Sequence, residues 1–598
     1  MPKRLIPILL LAGLIAGAGR ARAADHLRGE SSEFLKAFTD SPVDWMPWGE
    51  PAFARAKAEA RPVFLFIGSF TSELSGAMRR QTFANPKNAD WLNKHFVCVV
   101  VDRDERPDVA ALYEAYVLNL KQVSGWPLNV WLTPEFQPYE GATYLSPSED
   151  WGAPGFLKLA NQAQAAWAAN PAGCRKRAAD SVAQLAPPAQ APAPAQWNPV
   201  KARERLAASA AAWLATFDPA QGGFGDPPKS PEPELIRFML RQSPASRSAA
   251  MATLRAVAVS AVRDPLDGGF FRHAADAAWR IPYPQKTLAD QARVALAYLD
   301  GATGADARLF GLCARGAIDF ALRRLSHPDG TFFAAEDATG DDFAGYYTWT
   351  EAEISAALGA DAKAFEAAHG AAPDGNVPAA DDPSAQYAHK NLLRSTADAD
   401  AAWTRDASLL LSVRERRGAP PRDGRATAGA YGLMLSALSR AGEQLRSPAY
   451  VDAARRTLRI VRAGFLVSPD GTLRRLMGSS LPASAGDYAA LALGCRDYAR
   501  AANDGAAREL STRLLAQLDS RYLDPASGAY FGAPSPPGPG FFMRPPGAED
   551  PPSAESLAVA AGGPHAQAVA AGLSASLEES SAQAPGDQLL ALALFCGP

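Results

Sequence analysis

Ser72 and Ser75 stand where a strand hands over to a helix. Val63 to Ile67 is a continuous apolar run of strand length, Gly68, Ser69, Thr71 and Ser72 break it, and Glu73 to Gln81 has helix-forming composition. At such a junction the first helical residues lie at the positive end of the helix dipole, where a thiol would lose its proton and become reactive. Two hydroxyls in those places cannot form a disulfide or carry electrons. No histidine or lysine between Pro62 and Phe83 could activate either serine as a nucleophile. Ser72 is suited instead to cap the helix, a contribution of about 1 kcal/mol.

The second set of chemical groups is acidic. Sugar hydrolysis needs two carboxylates across a cleft, about 5 Å apart for retention or about 6.5 to 9.5 Å for inversion, and epimerisation needs an acid/base pair. Glu336, Asp337, Asp290 and Asp487, with Asp276, are the candidate cleft acids. Glu336-Asp337 is read as a loop following Phe332-Phe333, and Tyr283, Phe332, Phe333 and Trp349, with Tyr346 and Tyr347, are candidate stacking surfaces for a sugar ring. The alternative for each acid is a helix cap or a solvated turn.

These groups must be positioned by more than one core, because 598 residues exceed what a single core holds. Residues 1–23 carry Lys3 and Arg4, an apolar run from Leu5 to Ala16 and then Ala21-Arg22-Ala23, the three parts of a secretory leader, so the chain is expected in the periplasm or outside the cell with a mature start at Ala24. Removing the leader takes away four basic residues and no acid, which moves the formal charge from −3 to −7. That balance gives no reason to expect nucleic acid as a partner. No later stretch is apolar enough to span a bilayer. The five cysteines, Cys98, Cys174, Cys313, Cys495 and Cys596, include no close pair, which excludes a Cys-x-x-Cys couple or a zinc ribbon, and no metal or cofactor is expected.

Residues 24–185 read as a thioredoxin-like α/β domain. Helix Pro51–Ala60, strand Val63–Ile67, helix Pro86–Lys94, strand Phe96–Val101, helix Pro107–Leu120 and strand Leu128–Leu132 are followed by an antiparallel extension from Gln137 to Leu145. Trp126-Pro127 before the third strand is a candidate cis peptide; a trans proline at a strand's first position is the alternative. Residues 186–199 form a Pro/Ala linker. Residues 200–598 change to Ala, Leu and Arg at helical spacing. Helices are predicted over 201–214, 251–262, 286–299, 305–325, 427–438, 449–463, 487–501 and 506–518. A turn signal recurs between them at Asp218–Phe224, Asp264–Phe270, Asp329–Phe332, Asp470–Leu473 and Asp524–Phe531. Helix pairs joined by repeated Asp/Gly turns point to an all-α toroid or solenoid.

The strings SPVDWMPWGEPAF (Ser41 to Phe53), VDRDERPD (Val101 to Asp108), SGWPLNVWLTP (Ser124 to Pro134) and GATYL (Gly141 to Leu145) resemble the thioredoxin-domain proteins related to spermatogenesis-associated protein 20. The resemblance continues in GGFGDPPKSP (Gly222 to Pro231), DGGFFRH (Asp267 to His273), the stretch Trp279 to Asp300, DGTFFAAEDA (Asp329 to Ala338), KNLLR (Lys390 to Arg394) and YGLMLSALSRA (Tyr431 to Ala441). It implies a C-terminal (α/α)6 six-hairpin toroid, a fold shared with glycosidases and sugar 2-epimerases, in which the ends of inner helices line the cleft. It also implies losses. The family signature places a Cys-x-x-Cys flanked by histidines where this chain has Thr71 to Met78, His and Glu where it has Tyr283 and Gln285, and Trp-Asn where it has Ala430-Tyr431. Lys286, Asp290 and Lys390 remain, with Lys286 spaced to pair with Asp290 one helical turn on.

The reading that follows is an exported, redox-inactive thioredoxin-fold protein whose toroid binds a ligand such as a glycan without turnover. A carbohydrate-active enzyme using acids of the toroid cleft is the first alternative, and a protein-binding scaffold the second; fold alone does not choose among them. The mature chain is expected to show no catalytic reduction of a protein disulfide. An insulin-reduction assay with dithiothreitol checks this, and a rate above that of a cysteine-free variant would refute it.

Overall fold

The computed structural model describes residues 26–123, 125–148, 155–185, 196–338, 345–382, 385–397, 401–545, 547, 552–579 and 584–597. The leader and residues 186–195 of the linker lie outside these. Five strands, β1 (Trp45–Pro47), β2 (Val63–Gly68), β3 (Val97–Asp102), β4 (Leu128–Leu132) and β5 (Pro138–Ala142), form one sheet in the order β1-β3-β2-β4-β5. β3 pairs in parallel with β1 and β2, whereas β4 is antiparallel to both β2 and β5.

β2 is buried along its whole length because both sheet faces are covered. Phe64 and Phe66 enter a layer with Phe83, Trp131 and Phe156, beneath helices Pro86–His95, Phe156–Ala169 and Pro171–Leu185. Val63, Leu65 and Ile67 face the other way, toward Tyr113, Tyr116 and Val117 of helix Pro107–Lys121. The helix after β2 is α-helical only over Glu73–Ala77 and widens to a π-helix over Met78–Phe83.

The rest of the chain is a ring within a ring. Six inner helices, Pro233–Met239, Leu288–Gly301, Ala428–Gln444, Ala485–Ala502, Ala554–Ala561 and Gly586–Cys596, each pack on the next, and the last closes against the first. Outside them run Pro199–Leu214, Pro244–Ala258, Ala307–Arg324, Pro448–Gly464, Gly505–Tyr522 and Ala566–Glu579. This is an (α/α)6 toroid. The five Asp/Gly turns each follow an outer helix and fold back through one antiparallel bridge, as between Phe217 and Phe224 or Arg263 and Phe270. Three further helices, Glu351–Leu358, Ala362–His369 and Ala401–Glu415, lie in an insertion with its own core around Trp349, Ile354 and Leu410. Among the described residues no helix is long and apolar enough to cross a membrane.

The two domains touch. Phe541, Phe542 and Met543 of the toroid pack on the β2–helix layer of the thioredoxin-like domain, with Trp48 and Phe541 ring centres 6.4 Å apart and Tyr113 and Phe542 6.0 Å apart. Polar bonds continue the contact, as Arg475 Nε donates to the Asp104 carbonyl at 2.7 Å.

Inner helices Ala428–Gln444 and Ala485–Ala502 approach backbone to backbone. A Cβ on Gly432 would lie 2.4 Å from the Ala490 carbonyl carbon, and one on Gly494 2.4 Å from the Gly432 oxygen. Neither obstacle is a side chain that can swing away. Gly432→Ala is therefore expected to lower stability by about 1–3 kcal/mol, measurable by thermal unfolding; an unchanged midpoint would contradict this helix pairing.

Candidate functional site

Four inner helices begin at one end of the ring. Their N-caps are Thr287, Thr427, Ser484 and Ser553, whose side chains accept from the backbone N–H of Asp290, Ala430, Asp487 and Ser556. The first turns of these helices line a cavity of about 210 Å³, which the loop Asp102–Glu105 at the end of β3 covers together with Ser32 and Thr71. The thioredoxin-like domain thus roofs the mouth of the toroid.

The lining is charged. Asp102, Asp104, Glu105, Asp290, Asp423 and Asp487 face Arg103, Arg272, Arg293, Arg425 and Arg475 around the cavity, with no aromatic ring among its described lining residues. Most of these groups are bonded to one another. Asp487 accepts from the Gly429 N–H at 2.7 Å, the Ser484 N–H at 2.8 Å and Arg475 Nη1 at 2.7 Å. Asp290 accepts from Thr287 Oγ1 at 2.8 Å and Arg293 Nη1 at 3.1 Å, and Arg272 Nε lies 3.7 Å away. Both predicted acids that reach the cavity are engaged at helix starts, Asp487 in a capping box and Asp290 on the hydroxyl of its N-cap, with an arginine fixed to each.

Asp423 differs. It lies on β8 (Arg422–Asp423), the edge of a small sheet with β6 (Gln285–Thr287) and β7 (Ala335–Asp337). Burial, followed by the negative charges of Asp104, Glu105 and Glu33, pushes its carboxyl up to about 7, against the opposing bond from the Arg425 N–H. Burial, reinforced by Asp104 and Glu105, also raises Asp102 well above the carboxylate range, although Ser32 Oγ donates to it at 2.5 Å. The cavity therefore holds two carboxyls, Asp102 and Asp423, whose hold on a proton is strengthened by burial and neighbouring acids, beside five arginines, an arrangement suited to hydrogen bonds with hydroxyls.

At the serine positions Ser72 caps the helix, accepting from the Ser75 N–H at 3.2 Å, and Ser75 Oγ donates to Ser72 Oγ at 2.8 Å. The Trp126–Pro127 peptide is cis. All five cysteines are free, and four are buried; burial pushes the Cys313 thiol up to about 11 and Cys495 up to about 12, so these thiols are inert. Among the described residues no group of three His, Cys, Asp or Glu side chains is placed to hold a metal ion.

Residues 24–186 match the family model Thioredox_DsbH, described as a protein of unknown function, DUF255. The chain is 27% identical to mouse (Mus musculus) spermatogenesis-associated protein 20 over 85% of its length and 71% of the relative's, and 28% identical to the human (Homo sapiens) protein over 88% and 73%. The chain is similar to spermatogenesis-associated protein 20 through both domains. A D-mannose isomerase shares 10% identity over 60% of this chain and 79% of its own with a TM-score of 0.39, and a cellobiose 2-epimerase from Bacillus thermoamylovorans B4167 shares 8% over 55% and 75% with 0.36. Likeness that slight brings no chemistry to this chain.

Other predicted groups lie away from the cavity. Glu336 and Asp337 are on β7, not on a loop, and are 1% and 4% exposed. Glu336 accepts from Tyr347 Oη at 2.5 Å and Arg324 Nη2 at 3.2 Å, because pairing of β7 with both β6 and β8 turns it into the toroid wall. Lys286 pairs with Asp264 at 2.6 Å instead of Asp290, since it belongs to β6 and precedes the helix. Asp264 also binds Arg414 at 3.0 Å, and the Lys286 ammonium lies over the rings of Phe271, Phe320 and Tyr347. This buried network ties the insertion to the ring.

The stacking candidates are likewise used elsewhere. Phe332 and Trp349 are buried in two different cores, Phe333 stacks on His327 at 3.6 Å under Arg422, and Tyr283 lies against His273 with ring centres 3.9 Å apart and planes tilted by 39°. Asp276 caps its own turn, accepting from the Arg280 and Ile281 N–H groups. Asp423 and the arginines of the cavity were not among the predicted residues. The only local signal for the roof is the burst of charge from Asp102 to Arg106 directly after an apolar strand.

The displaced carboxyl of Asp423 makes stability depend on pH. Unfolded, it ionises near pH 4; folded, near pH 7. Between those limits the native state holds the extra proton, so stability falls as pH rises. Thermal unfolding of Asp423→Asn should lose less stability than wild type between about pH 4 and about pH 7, by at most about 4 kcal/mol. Parallel curves would mean that the carboxyl ionises normally.

Proposed function

We propose that this chain is an exported, redox-inactive binding protein whose ligand, a small polyhydroxylated molecule such as a glycan unit, occupies the cavity between the toroid and its thioredoxin-like roof without being turned over. The observation that carries this reading is the convergence of four capped helix starts, the raised carboxyls of Asp102 and Asp423 and five arginines on one covered cavity. Hydroxyls are recognised there by hydrogen bonds and not by stacking. The cavity, about 210 Å³, is smaller than the roughly 300 Å³ at which pockets for drug-sized molecules begin, which favours a monosaccharide or sugar acid over a longer chain. Asp290 and Asp487 are engaged at helix starts and by arginines, and this argues against their acting as a catalytic pair. The leader-like residues 1–23 and the absence of a close thiol pair support export and redox inactivity.

Asp423 favours a second reading, a carbohydrate-active enzyme, because a carboxyl with its midpoint near 7 is matched to general acid/base work at neutral pH. Calorimetry against a panel of monosaccharides, sugar acids and oligosaccharides, with product analysis on each mixture, separates the two. Binding heat without product, weakened at least tenfold in Arg272→Ala, is the expected outcome. Turnover lost in Asp423→Asn would instead establish an enzyme, and no heat from any sugar would leave a protein-binding scaffold.

A further inference from the structure

The axial bore of the toroid has a second chamber at the opposite end, of about 240 Å³, to which all six inner helices contribute side chains. Leu433, Pro552 and Leu557 line both this chamber and the roofed cavity, so they form the floor between the two. Its wall carries Arg237, Arg241, Arg440, Arg496 and Arg500. We propose that this chamber is an anion site for a phosphate group, free or as a small phosphomonoester. The proposal is independent of the sugar reading of the other cavity.

The acids present are already engaged. Asp300, almost fully buried behind the wall, holds three arginines at once: Arg237 Nε and Arg241 Nη2 at 2.9 Å each, and Arg440. Burial alone would raise its carboxyl, but Arg237, Arg440 and Arg241 together hold it below the ordinary range. Glu234 is bound by Arg293 at 2.6 Å, Asp587 accepts from the Ser553 N–H and Ser556 Oγ, and Asp497 accepts from Ser436 Oγ at 2.6 Å and Arg496 Nη2 at 3.0 Å. Arg500 bonds Glu443 at 3.0 Å, and Arg496 also donates to the Ala560 carbonyl.

One carboxylate shared by three guanidiniums leaves most of their N–H donors unused, since each guanidinium carries five. The planar forks match a phosphate's paired oxygens. Compensation of helix C-terminal dipoles accounts for Arg237 and Arg500, which lie in the last turns of their helices. It also takes in Arg241, whose Nη1 donates to the Arg237 carbonyl, and Arg496, which donates to the Ala560 carbonyl at the end of helix Ala554–Ala561, but not Arg440, which lies before the last turn of its helix.

Calorimetry and thermal-shift titration of the full chain with inorganic phosphate and with glucose 6-phosphate, against glucose as the neutral control, test the site. Saturable binding of phosphate is expected, weakened by added salt and at least tenfold in Arg440→Gln. Arg500→Gln, at a half-exposed position, serves as a second variant should the first fail to fold, and a severalfold loss is expected. Absence of binding at tens of millimolar phosphate, binding unchanged in both variants, or binding lost in Arg272→Ala of the other cavity and kept in these, would each overturn the proposal.

Discussion

The structure depends on closing a ring of six helices, several of them short. Closure requires backbones to approach more tightly than ordinary side chains permit, and glycine supplies the room at two joints. Gly432 and Gly494 let Ala428–Gln444 and Ala485–Ala502 meet without intervening Cβ atoms, and at Gly586 a Cβ would lie 2.6 Å from the Leu235 nitrogen, where the last inner helix meets the first. With the ring closed, the helix starts gather at one end and the bore arginines near the other. Both chambers follow from this single geometric condition.

Docking of the thioredoxin-like domain converts an open mouth into a covered cavity. Aromatic packing of Phe541 and Phe542 against Trp48 and Tyr113 contributes apolar burial, while Arg475 joins the Asp104 carbonyl to Asp487. Arg475 thereby fixes a roof residue and a helix start together. Thr71, beside the helix that Ser72 caps, lines the same cavity.

Charge is distributed unevenly through the molecule, and burial decides its use. Asp264, Lys286 and Arg414 are almost wholly buried and paired with one another, which fits a structural tie. Asp423 has no arginine or lysine side chain bonded to its carboxylate among the described residues and sits among other acids, so it holds its proton more tightly than an ordinary carboxyl. The same residue type therefore acts in a capping box at Asp487, as a tie at Asp264 and as a carboxyl of raised proton affinity at Asp423.

Much of this was legible locally. The apolar runs of β2, β3 and β4, the eight predicted toroid helices, the five Asp/Gly turns and the serines at the helix start are each encoded within a window of a few residues, where periodicity and turn chemistry act. Inner helices Pro233–Met239, Ala554–Ala561 and Gly586–Cys596 were not predicted, because they are short or rich in alanine and glycine and carry a weak periodic signal. Glu336 and Asp337 looked like loop acids until strand pairing buried them. Asp104 and Arg475 are 371 residues apart, and no local pattern relates them. Sequence by itself determined the two fold types and the absence of a close thiol pair. Tertiary structure alone decided which acids face a cavity, which serve as caps and which keep their protons, because burial and charge neighbours are properties of the packed chain and not of any one segment.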